Sequence, residues 1–244
     1  MITLAIETSG TSGSVALFKN KKLLATEGWE RTASHSEKIT VALQILFKAA
    51  KLDLKETQRV AVGIGPGSFT GIRVGVNCAR SLAYSLQIPC FTMSSLELLA
   101  HQVRTKKKKP LRICALQYGF RDILYAATYA LDQGRMSEEA PPAALTISEL
   151  IQQVNSPVLV LGNGYDFLKP LLPPDKTPYF LRDTKYRDNP TAQDFIYTEA
   201  VAPSPPHLTD WIHTIPLYIR ASEAEEKART RKQENIPEHS GTGI

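Results

Sequence analysis

Two short stretches hold the residue types that could do chemistry. The first is Glu7-Thr8-Ser9-Gly10-Thr11-Ser12-Gly13. A carboxylate at the end of an apolar run, followed by a Gly/Thr/Ser turn, can hold a phosphate on backbone N–H groups. A polar hairpin turn of the same composition also serves solubility alone, and both readings stay open for Glu7, Gly10, Thr11 and Ser12. The second stretch is Gly65-Pro66-Gly67-Ser68-Phe69-Thr70-Gly71-Ile72-Arg73. Val60, Val62 and Ile64 lead into it as a buried strand would, and Gly65, Pro66 and Gly67 turn the chain sharply. Ser68 or Thr70 can cap a helix running from Ile72 to about Leu86. Strand, glycine turn and helix N-terminus together form either an anion cradle or a docking corner.

Other chemistry is missing. His35, His101, His207, His213 and His239 form no His-x-x-x-His pair and stand beside no carboxylate at ligand spacing, so no metal is expected. His35 reads as a surface residue. Ser68 has no assignable His or Asp, and the chain has no Gly-x-Ser-x-Gly, Walker loop or Cys-x-x-Cys. Cys78, Cys90 and Cys114 are widely spaced in apolar contexts and read as buried thiols of a reducing compartment. With no signal peptide and no apolar run near the roughly 20 residues of a membrane span, the expectation is a cytoplasmic protein with no membrane contact.

The elements that must position these stretches follow from periodicity. Strands are expected at 3–8, 14–18 and 22–29, then a helix to about Lys51 that begins in a Ser34–Glu37 capping box. Strand 59–64, helix 72–86, strand 88–93 and helix 95–103 follow. This β-β-β-α-β-α-β-α order predicts a ribonuclease-H-like α/β lobe over residues 1–103. A second, smaller α/β lobe is expected over 110–220. Its strands fall at 112–116, 123–131 and 157–161, with a loop at 134–144 and helices at 148–154 and 191–201. No internal repeat is visible. Residues 221–244 are polar and read as a tail, helical at first and then disordered.

The net charge of +5 favours a polyanionic partner only weakly. Much of the excess lies in Arg104, Lys106, Lys107, Lys108, Lys109 and Arg112. That run reads as a solvated loop between lobes or as a nucleic-acid-facing patch, without interleaved aromatics on which bases could stack.

Two helices carry more apolar surface than one sheet can cover. Within 39–50 the polar positions are Thr40, Gln44 and Lys48, one narrow line. In the second helix Gly71, Gly75, Ala79 and Ala83 recur every four residues on one slanting face. This small-residue row, with Ile39, Leu43, Phe47 and Arg73, is expected to meet a partner, while Val74, Cys78 and Leu82 pack on the sheet. Gly75→Leu or Ala79→Arg would then abolish partner binding and leave the monomer folded. The bland alternative is that the two helices simply pack on each other inside one lobe.

The corner Gly65–Arg73 with Val74-Gly75-Val76 resembles the signature of the bacterial TsaB (YeaZ) family of tRNA-modification proteins. Leu4–Ser9, Ser14–Leu17, His35-Ser36-Glu37 and Pro216–Glu225 fit the same family. The likeness covers residues 1–100, thins over 110–210 and returns at 216–225. It implies a two-lobed actin-like ATPase fold. It also implies a non-catalytic scaffold in making threonylcarbamoyladenosine on tRNA. That scaffold pairs through the first-lobe helices with a TsaD-like catalytic subunit, is joined by a TsaE-like ATPase, touches tRNA indirectly and forms a homodimer when alone. The catalytic paralogue's metal-binding His-x-x-x-His falls here on Ser95-Leu96-Glu97-Leu98-Leu99. Glu7 stands where the family often has Asp, and Leu116–Arg121 replaces an Asp-Ala-Arg. ATP is therefore expected only at an interface with partners. The rival expectation is a nucleotide-binding hydrolase or kinase-like enzyme using Glu7 and the 10–13 turn.

Overall fold

The structure, a computed structural model, describes residues 1–30, 34–104, 110–202 and 208–219; the lysines at 106–109 and the tail at 221–244 lie outside the described residues. The first lobe opens with an antiparallel meander of β1 (Ile2–Glu7), β2 (Ser12–Lys19) and β3 (Lys22–Glu30). Helix α1 (His35–Ala50) crosses to β4 (Arg59–Gly63), and α2 (Phe69–Leu86) crosses to β5 (Cys90–Met93). Both crossovers are parallel, giving the order β3-β2-β1-β4-β5. Every residue of β1 and β4 is buried, which suits central strands covered on both faces.

After α3 (Ser95–Ala100) the same plan is laid down again. β6 (Leu111–Phe120), β7 (Ile123–Asp132) and β8 (Arg135–Thr146) form a meander. α4 (Ile147–Gln153) leads to β9 (Val158–Leu161), and α5 (Gly164–Leu168) precedes β10 (Phe180–Arg182). The second sheet runs β10-β9-β6-β7-β8, the order of the first. The molecule is thus an internal duplication that no residue pattern revealed. Two ribonuclease-H-like sheets flanked by helices make the actin-like ATPase fold.

Each lobe also borrows a layer from the other. One face of the first sheet packs Leu4, Ile6, Val15 and Val62 against Ile39 and Leu46 of α1 and Ile72 and Val76 of α2. The opposite face, built on Ala5, Ala16 and Ala61, is covered by Ala192, Phe195, Ala200 and Val201 from beyond the second sheet. In return α3 sends Leu96, Leu99 and Ala100 onto Ile113, Ala115 and Tyr129 of the second sheet.

Several local expectations are corrected. Of residues 134–144, read as a loop, Gly134 lies in a turn and 135–144 belong to edge strand β8. Pro141 and Pro142 fall where the register slips between the pairs Ala126–Ala143 and Thr128–Ala140, a bulge on an edge where missing N–H groups cost little. The helix expected over 191–201 is two 3-10 turns, Ala192–Tyr197 and Glu199–Val201, because Thr198 is extended and caps the second turn through Ala200 N. Ser34 precedes α1 but makes no capping bond; its hydroxyl pairs with Ser36. His35, expected on the surface, is 6% exposed. Its Nδ1 accepts from Trp29 Nε1 at 3.0 Å. Cys90 and Cys114 are buried and Cys78 is half-buried, all three as free thiols. Burial pushes the Cys78 thiol up to about 11 and Cys114 up to about 12.

Candidate functional site

The two chemistry-bearing stretches meet. Gly65 turns the chain with φ +100, a left-handed value natural to glycine, and the Gly65–Pro66 peptide is cis. Ser68 N donates to Ser9 O at 2.7 Å, and Thr8 Oγ1 donates to Gly71 O at 2.8 Å. Ser68 caps α2, its hydroxyl accepting from Gly71 N. Phe69 is half-buried and Thr70 exposed. Glu7 is 1% exposed. Its Oε1 accepts from Ser9 N at 2.6 Å and its Oε2 from Ser95 Oγ at 2.9 Å, while Ser95 Oγ also accepts from Gly65 N. Burial pushes the Glu7 carboxyl up despite these bonds. The corner therefore works as an internal joint: N–H groups that a phosphate cradle would use at Ser9, Gly65 and Ser68 are bonded within the chain. Gly10 lies against Asn189, Thr11 is exposed and Ser12 is half-exposed. Ser95 and Leu99, the positions where the resemblance implies the catalytic paralogue's histidine pair would fall, are fully buried. Among the described residues no three His, Cys, Asp or Glu side chains are placed to hold a metal, and no helix is long and apolar enough to cross a membrane.

The expected partner surface needs correction residue by residue. Ile39, Phe47, Gly71, Gly75, Ala79 and Ala83 are buried by the chain itself. The small-residue row faces the sheet. A Cβ at Gly75 would overlap Thr8 Oγ1 and one at Gly71 would overlap Thr8 O, so β1 and α2 approach more closely than any side chain allows. Gly75→Leu and Ala79→Arg would strike the fold itself. Val74, Cys78 and Leu82, expected on the sheet, are only half-buried, as is Leu43. The residues left open are Val41, 49% exposed, and Ile45, 47% exposed. They were inside the apolar run 39–50 all along. Counting 100° per residue from the sheet-facing Ile39, Ala42 and Leu46 puts both on one outer flank of α1.

Arg73 is exposed and mounted on aromatics. Its guanidinium lies 4.0 Å over the Phe69 ring, and its Nε donates to Tyr218 Oη at 2.9 Å. Phe69 and Tyr218 stand 4.8 Å apart. Leu217 N donates to Ile64 O at 2.8 Å, so the segment at 216–219 lies beside the corner. In the last turn of α2, Tyr84 packs edge-on against Trp211, with Arg80 6.0 Å over the same indole. At the ends of the basic run, Arg104 stacks on Tyr197 at 4.4 Å and Arg112 pairs with Glu139.

Residues 30–179 match the family described as "TsaD: tRNA N6-adenosine threonylcarbamoyltransferase". The chain is 28% identical over 232 residues to the tRNA threonylcarbamoyladenosine biosynthesis protein TsaB of Bacillus subtilis, covering 93% of this chain and 97% of that one. It is 27% identical to the protein of the same name from Escherichia coli over 169 residues, 68% of this chain and 72% of that one. YeaZ from Pseudomonas aeruginosa superposes with a TM-score of 0.73 at 24% identity, over 89% of this chain and 99% of that one. With the corner Gly65–Arg73 and the segment at 216–219 packed side by side, the chain belongs to this TsaD-type family, on its TsaB (YeaZ) branch.

Proposed function

We propose that this chain is the non-catalytic scaffold of the complex that makes threonylcarbamoyladenosine on tRNA, pairing with a TsaD-like catalytic subunit. The names carried by its TsaB relatives support the pathway. The observation that carries the scaffold role is the exposed Val41 and Ile45 pair, four residues apart on one face of α1. Two large aliphatic side chains half in water on one helix face suit an apolar interface centre. A standard complex buries about 800 Å² per partner, and such a face can supply its middle. The same face serves a homodimer when the chain is alone. A TsaE-like ATPase joins the pair, ATP sits at the shared interface, and tRNA is held by the assembly rather than by this chain.

The test is the double variant Val41→Asp with Ile45→Asp, mixed with the catalytic subunit and run through gel filtration. Both substitutions fall on solvent-facing positions, so the variant should stay folded and elute alone, with modification activity of the mixture lost. An unchanged complex would refute the scaffold surface. The rival, a nucleotide hydrolase or kinase-like enzyme, has one observation in its favour: Ser9 Oγ and Asn189 Oδ1 are buried near the 8–13 turn without a hydrogen-bond partner among the described residues. Calorimetry with ATP and magnesium on the isolated chain decides it, since binding that disappears in Glu7→Ala would favour the enzyme.

A further inference from the structure

Arg73 and Arg80 are seven residues apart on α2. Seven residues bring two side chains to the same side of a helix, about 10 Å apart along its axis. Each guanidinium rests on aromatic rings, Arg73 on Phe69 and Tyr218, Arg80 on Trp211. Trp211 and Tyr218 both come from the segment at 208–219, which runs back along the first lobe. Thr209 anchors that segment by two backbone bonds to Cys90, and Leu217 N anchors it to Ile64 O. Neither arginine has a carboxylate within 4.0 Å among the described residues; Asp210 instead accepts from the backbone N and ring Nδ1 of His213. Tyr84, Ile212, Ile215 and Tyr218 are exposed along the same flank.

We infer that this flank of α2 is a docking rail for an acidic helical segment of the catalytic partner, whose carboxylates, two turns apart, pair with Arg73 and Arg80. The inference rests on the scaffold reading and deepens it by naming the partner's chemistry. A guanidinium held against aromatic faces loses little freedom when a carboxylate arrives, and the fork takes both oxygens at once. The exposed Tyr84, Ile212 and Ile215 give the apolar side of such a helix a surface to lie on. A single pair of cations flanked by apolar groups suits a protein better than a nucleic acid, which is tracked by a longer row of cations. Tyr218 acts as a positioning residue, because its hydroxyl takes Arg73 Nε and leaves both Nη groups without a bond among the described residues.

The experiment measures the affinity of the full chain for the catalytic subunit at low and high salt. Arg73→Gln with Arg80→Gln should weaken binding at least about tenfold and flatten its salt dependence. Tyr218→Phe should weaken binding about threefold in the wild type and change nothing in an Arg73→Gln background. Val41→Asp with Ile45→Asp separates the two readings. If it abolishes binding while the arginine variant binds normally, the rail is refuted and the scaffold stands. If neither variant affects binding, both fall. A loss with undiminished salt dependence, an additive Tyr218 effect, or a defect seen only with tRNA present would each overturn the rail. So would a chain ending at Ile219 in which the arginine variant no longer weakens binding, since Glu223, Glu225 and Glu226 would then be the acids involved.

Discussion

Replacing Gly75 by alanine tests which way the small-residue row of α2 faces. A methyl there would sit far inside contact distance of Thr8 Oγ1. That hydroxyl is fully buried and fixed by its 2.8 Å bond to Gly71 O, so it cannot turn aside cheaply. Overpacking of this kind costs about 1–3 kcal/mol, while helix propensity returns about 1 kcal/mol. Gly75→Ala is therefore expected to destabilise the wild type by about 1 kcal/mol. Thr8→Ala removes the obstacle at a cost of about 1 kcal/mol for the lost hydrogen bond. The next atoms the new methyl meets are then the Cβ at position 8 and Ile6 Cγ2, each at an ordinary 3.5 Å. In that background Gly75→Ala should stabilise by about 1 kcal/mol, so its sign reverses. A double-mutant cycle by urea denaturation measures a coupling of about 2 kcal/mol. If Gly75→Ala stabilises the wild type, or acts equally in both backgrounds, the row does not face β1 and its placement against a partner returns.

Two further expectations concern buried polar groups. Burial raises the folded-state Glu7 pKa above its unfolded value, so the charged form costs stability once pH passes the unfolded pKa. Glu7→Gln should gain in Tm over the wild type as pH rises from about 5 to about 8, and a pH-independent difference would contradict this. Arg59, 2% exposed, donates to Ala200 O at 2.5 Å and Ala202 O at 3.1 Å. Arg59→Met strips both carbonyls of their donor and should cost about 2–4 kcal/mol, read as an earlier urea midpoint with cleavage first appearing near residue 200; cleavage elsewhere would count against it.

The first lobe was readable because its central strands are mostly apolar runs and its corner is marked by Gly65, Pro66 and Gly67. β8 was not, because Glu138, Glu139, Pro141 and Pro142 on a solvated edge erase the alternation that marks a strand. The duplication escaped notice because the two halves share strand order and crossovers but no motif. Helical spacing grouped Gly71, Gly75, Ala79 and Ala83 correctly, yet spacing alone cannot say whether such a face meets a sheet or another protein; that is settled by how near β1 lies. Val41 and Ile45 share an apolar run with their sheet-facing neighbours, and composition alone does not separate the two. The bond from Arg73 to Tyr218 spans 145 positions, beyond any local pattern, although both ends lay in the stretches that carried the resemblance.

The crosswise layering of the lobes has a practical meaning. Leu96 and Leu99, from the first half of the chain, seal the sheet of the second, and Phe195 and Val201, from the second, seal the sheet of the first. Neither half made by itself would own a finished interior. A chain nicked between its sheets would stay clasped as two interlocking fragments, each supplying the other's missing wall.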